Sequence, residues 1–110
     1  MLDRPPRVLV VEDDHEIAQV LLRSLRMEGY EARASYDGEA ALGDAREFTP
    51  DLVILDLGLP KLDGVDVAKI LRKDGDVPIL VLTARDALEA ERALEDLGDL
   101  DVVLDDEHTW

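Results

Sequence analysis

The feature that most constrains how this chain folds is the regular alternation of two hydrophobic periods. Four short runs, "RVLVV" (7–11), "DLVIL" (51–55), "PILVL" (78–82) and "DVVL" (101–104), are continuously apolar over several residues. Such runs read as strands covered on both faces, because alternation with polar residues is what a half-solvated strand shows. A weaker run, "EARAS" (31–35), reads as an edge strand. Between these lie segments with helical spacing. "DDHEIAQVLLRSLRMEGY" puts Ile17, Val20, Leu21 and Leu25 on one stripe, with Asp13 or Asp14 able to cap its start and Gly29 placed to end it. "YDGEAALGDAREF" opens on the capping residue Asp37. Asp63 to Lys73 carries Val67, Ile70 and Leu71 on one face, and "RDALEAERALEDLG" closes at Gly98. This β-α repetition predicts one α/β domain over residues 1–110, a doubly wound parallel sheet with helices on both faces and right-handed crossovers.

In open parallel sheets ligands gather beyond the carboxyl ends of the strands. The first strand runs into Glu12, Asp13 and Asp14, the third into Asp56, and the fourth into Thr83 and Ala84. If the first and third strands are neighbours, their acids converge, and like charges that close raise one another's pKa values. A hard divalent cation relieves that repulsion, and Mg²⁺ suits an all-oxygen donor set. Asp13 and Asp56 are expected to bind it directly, with the backbone carbonyl of Gly58 as a further ligand and Glu12 holding a metal-bound water. With the cation in place Asp56 has the chemistry of a nucleophile toward phosphoryl groups, forming an acyl phosphate. Thr83 brings a hydroxyl within reach of a phosphate oxygen. The apolar third strand then serves as a rigid post for one phosphate acceptor.

Composition narrows the alternatives. Apolar residues are 46% of the chain, enough for a core in 110 residues, and there is no cysteine for a disulfide or thiolate metal site. No apolar run approaches the roughly 20 residues of a membrane span, and the start lacks a signal-peptide pattern, so a cytoplasmic protein is expected. A net charge of −15 argues against direct contact with nucleic acid. No Lys or Arg follows Arg92, and the acids beyond it read as a solvated tail.

The motifs "RVLVVEDD", "DGEAAL", "PDLVILDLGLPKLDG" and "VPILVLTARDALE" together resemble the receiver domain of bacterial two-component response regulators, in its transcription-factor branch. The resemblance implies a flavodoxin-like five-stranded sheet in order 2-1-3-4-5. It also implies Glu12 and Asp13 as the acidic pair, Asp56 as phosphoacceptor, Thr83 as switch hydroxyl, Mg²⁺ as cofactor and a histidine kinase as phosphodonor. Such a domain is not expected to be an enzyme beyond its own phosphorylation.

The resemblance fades after Gly98. Where the family carries Lys-Pro after its fifth strand, this chain has Asp105 and Asp106, and its last lysine is Lys73. The switch aromatic of the fifth strand is replaced by Val102, and the fifth helix is expected to be missing. A lysine-to-phosphate contact contributes about 1.5–3 kcal/mol, so coupling from phosphate to an output surface is expected to be impaired. Without that helix, apolar side chains on strands three to five are expected to be exposed, favouring a homodimer, a segment-swapped dimer or a marginally stable monomer. The runner-up reading is a pseudo-receiver, an interaction module that no longer signals by phosphate. A phosphatase of the haloacid-dehalogenase type is disfavoured, because its second aspartate falls on Gly58, and flavin binding is disfavoured by the acidic first loop. Lys61 and His15 read as surface residues.

Overall fold

A computed structural model describes residues 4–57, 63–83 and 100–104, with residues 83 and 100–104 described by their backbone. The elements follow the expected alternation: β1 (Arg7–Val11), α1 (His15–Met27), β2 (Glu31–Ser35), α2 (Gly38–Phe48), β3 (Leu52–Asp56), α3 (Gly64–Asp74) and β4 (Ile79–Thr83). β1 pairs in parallel with both β2 and β3, and β3 with β4, giving the order 2-1-3-4 with β2 at the edge. Beyond β4 the backbone of β5 (Leu100–Leu104) runs parallel beside it, Ile79 opposite Leu100 and Thr83 opposite Leu104. The segment expected to form the fourth helix, and the C-terminal end where no fifth helix is expected, lie outside the described residues.

Alternate side chains of each strand go to opposite faces, which splits the core in two. Leu9 and Val11 of β1, Val53 and Leu55 of β3 and Ile79 and Val81 of β4 meet Ala41 of α2 and Val67, Ala68 and Leu71 of α3. Val8, Val10 and Ile54 point the other way, with Leu22 of α1 and Ala32 of β2. α1 packs on β1 and β2, so it covers one half of its face. Over the other half, the expectation of exposed side chains needs correcting for β3 and β4, while the side chains of β5 lie outside the described residues. Ile54 is buried, at 8% exposure, and Leu52, Leu80 and Leu82 are half-buried against the same cluster.

β3 and β4 each lie one residue later than expected, and β5 starts one residue earlier, at Leu100. β3 begins at Leu52, because the Asp51 carboxylate turns aside to accept the Arg7 amide (2.8 Å) and the Arg4 guanidinium (2.9 Å). β4 begins at Ile79, with Pro78 contributing only its carbonyl, which accepts from Val53 at 2.9 Å. α1 ends as the sequence suggests. Gly29 adopts φ +95°, its amide donates to the Arg26 carbonyl, and the Tyr30 amide donates to the Leu25 carbonyl, a Schellman closure.

Candidate metal centre

Val11 of β1 stands opposite Leu55 of β3, so the residues that follow, Glu12 and Asp56, leave the sheet side by side. The Glu12 amide donates to the Ser35 carbonyl at 3.0 Å, tying the exit of β1 to β2. Of the two candidate caps of α1, Asp14 takes the role, its carboxylate accepting from the Glu16 and Ile17 amides at 2.9 and 3.1 Å. Asp13 is therefore not spent on the helix, and it is exposed. The result is a cluster in which one carboxylate oxygen each from Glu12, Asp13 and Asp56 lie within 4.8 Å of one another.

Electrostatics at this spacing are unfavourable without a counter-charge. Burial pushes the Glu12 carboxyl up to about 8, and the neighbouring Asp56 charge and contacts with Asp13 and Asp56 add to the rise. The Asp14 amide, donating to Glu12 Oε2 at 3.1 Å, opposes it. A set of carboxylate oxygens, two of them half-buried and with no nitrogen or sulfur donor, fits a hard divalent cation such as Mg²⁺ better than a softer metal. Among the described residues no other group of acids or histidines has metal-ligand spacing.

The remaining sequence-derived residues divide clearly. Asp56 pairs with Leu82 of β4, so the backbone carries Thr83, one residue further, to the same end of the sheet. Gly58, Lys61, Asp105 and Asp106 lie outside the described residues. His15 is exposed as expected, but its ring stacks on Tyr36 with centroids 3.9 Å apart, and Gln19 donates to the Tyr36 hydroxyl at 3.3 Å. Sequence reasoning did not single out Gly64 beyond its place in a turn. Its signal was the "DG" pair at 63–64, where a capping aspartate meets a residue without a Cβ. Asp63 does cap α3, accepting from the Val65 amide at 2.8 Å.

The chain was compared with known proteins. The sequence profile of the response regulator receiver domain matches residues 8–106. The DNA-binding response regulator MtrA of Mycobacterium tuberculosis is 46% identical over 94 residues, 84% of this chain and 41% of its own length. The transcriptional regulatory protein PrrA of Mycobacterium leprae is 47% identical over 85 residues, 76% of this chain and 36% of its own. This chain thus spans about two fifths of the length of the curated relatives it matches. Among solved structures, the response regulator TrrA of Thermotoga maritima, in complex with Mg(2+)-BeF, superposes with a TM-score of 0.81 at 35% identity, covering 91% of this chain and 86% of that one. A Francisella response regulator receiver domain gives 0.82 at 32% identity, covering 90% and 83%. Parallel sheet, acids at the strand tips and matched span agree: the chain belongs to the receiver-domain family of two-component response regulators.

Proposed function

We propose that this domain accepts a phosphoryl group on Asp56 from the phosphohistidine of a histidine kinase, with Mg²⁺ held by Glu12, Asp13, Asp56 and the Gly58 carbonyl. The observation that carries the reading is the convergence of the three carboxylates at the tips of β1 and β3. When bound, Mg²⁺ supplies neutralisation of the charge that develops on the transferring phosphoryl oxygens. The protein's part is positional. β3 fixes Asp56 at the end of a buried strand, so one carboxylate oxygen meets phosphorus as the P–N bond to the donor imidazole breaks. The imidazole leaves with the electron pair of that bond and takes up a proton, and Asp56 becomes an acyl phosphate. Thr83 is assigned to donate its hydroxyl to a phosphate oxygen. Leu100–Leu104 is assigned as the fifth strand of the family sheet, completing the order 2-1-3-4-5. Asp105 and Asp106, in place of the family's Lys-Pro, weaken the coupling of phosphate to the output surface. Self-association, as a homodimer or by segment exchange, is a separate part of the reading, and the half-burial of Leu52, Leu80 and Leu82 does not by itself support it. Sedimentation showing one monomeric species at all accessible concentrations removes that part.

The test is incubation with Mg²⁺ and acetyl phosphate, read by intact mass. A gain of one phosphate in the wild-type chain, absent in Asp56→Asn and absent with EDTA, is the expected result. No gain from acetyl phosphate or from any phosphorylated kinase turns the reading into that of a pseudo-receiver.

A further inference from the structure

The end of β3 and the start of α3 meet on the same few atoms. The Gly64 amide donates to the Leu57 carbonyl at 3.2 Å, bringing the first residue of α3 onto the peptide that follows Asp56. A Cβ at position 64 would stand 2.5 Å from Leu57 Cα, 2.7 Å from the Asp56 carbonyl oxygen and 3.0 Å from the Leu57 carbonyl carbon. All three contacts are backbone, so no rotamer change relieves them. Both sides are held by their neighbours. Leu57 is fully buried in the same cluster as Val67 and Leu71 of α3, and the Asp63 cap holds the helix start. Gly43 and Gly75, by contrast, have no atom within 4 Å of the corresponding point.

We propose that Gly64 is a positioning residue for Asp56: the missing side chain lets α3 clamp the Asp56–Leu57 peptide and so sets where the Asp56 carboxylate stands between its β1 neighbours and an incoming phosphoryl group. The inference rests on Asp56 being the acceptor. A side chain at position 64 forces the start of α3 and the Asp56–Leu57 peptide apart, whereas Glu12 and Asp13, carried by β1, stay in place. Misplacing a reacting group by about 1 Å costs on the order of a hundredfold in rate, while binding of a small donor depends little on it.

The experiment compares Gly64→Ala with Val67→Ala, which removes packing from the same buried cluster and adds no atom. Both are measured at equal folded fraction, with trimethylamine N-oxide added to hold the weaker variant folded. Phosphorylation by acetyl phosphate at saturating Mg²⁺ is followed by mass, and backbone amide shifts by ¹⁵N NMR without metal. The expected result is a maximal phosphorylation rate constant about tenfold to a hundredfold lower in Gly64→Ala than in Val67→Ala, with the half-saturating acetyl phosphate concentration within about threefold and the largest amide shifts at Asp56 and Leu57. Equal maximal rate constants in the two variants, or unmoved Asp56 and Leu57 amides, overturn the proposal. A wild-type chain that takes up no phosphate defeats the reading of Asp56 as acceptor instead. The amide shifts then still decide whether Gly64 sets the Asp56 peptide.

Discussion

Glu12 and Asp51 are two carboxylates moved in opposite directions by their surroundings, and each leaves a mark on how stability varies with pH. Glu12 titrates near 8 in the metal-free fold because burial disfavours its charged form. The folded state therefore holds its proton more tightly than the unfolded chain, and the fold loses stability as pH rises from about 4.5 to 8. For a half-exposed group the loss is about 1–2 kcal/mol after solvent screening, measurable by urea denaturation in EDTA. Glu12→Gln removes that slope, and Mg²⁺ removes it in the wild type by binding the ionised form. Asp51 is the reverse case. The Arg7 amide and then the Arg4 guanidinium favour its charged form and lower its pKa. Its contribution is present above the ordinary aspartate range and is lost as pH falls through the folded-state value, so Asp51→Asn flattens the acid limb of the same curve. The sequence showed that the strand tips carried acids but not how they divide their work. Asp13 and Asp14 are equally competent caps on paper, and only the accepted Glu16 and Ile17 amides separate them.

Elements were legible where the pattern was local. Leu9 and Val11 facing α2 and α3, with Val8 and Val10 facing α1, follow directly from the period of a strand. The shift of one residue at β3 comes from non-local partners: Asp51 resembles a strand residue until Arg7 and Arg4 claim its carboxylate. The Gly64 contact was illegible for the same reason, since it joins residues from two elements across a loop. α1 offers a clean test of a cap beside a metal site. Asp14→Ala should cost about 1 kcal/mol, the ordinary value of an N-cap, read as a lower urea midpoint. Mg²⁺ affinity should hold, because the Asp14 backbone amide that contacts Glu12 survives the change. A large loss of affinity would mean that Asp14 itself reaches the cation.

For the molecule as a whole, the dominant fact is a charge of −15 with three acids gathered at one end of the sheet. Metal-free protein should therefore gain stability when salt is raised, as screening weakens the repulsion among exposed acids. Mg²⁺ should act beyond that general effect. At a concentration a hundred times its dissociation constant it adds about 2.7 kcal/mol by mass action, against an ionic-strength-matched sodium control. In Asp56→Asn the metal-free fold should be more stable than wild type and the Mg²⁺ increment smaller. Thermal melts of both proteins in the two buffers check this. The architecture was readable because the hydrophobic run lengths allow little besides a covered parallel sheet. The adjacency of β1 and β3 was the step that local pattern could not supply, and it is what makes the acids a site.

The Asp51 contacts sit at the opposite end of β1 and β3 from those acids. Because one Asp51 oxygen holds the Arg7 amide while the Arg7 carbonyl accepts the Asp51 amide at 2.8 Å, the two strands are indexed against each other like the zero marks of a vernier. A slip of one notch would carry every tip residue about 3.3 Å along and turn it to the wrong side. The accuracy of the charged end is thus calibrated at the distant one, and wear at that zero mark should be read first as weaker Mg²⁺ binding at the proposed centre.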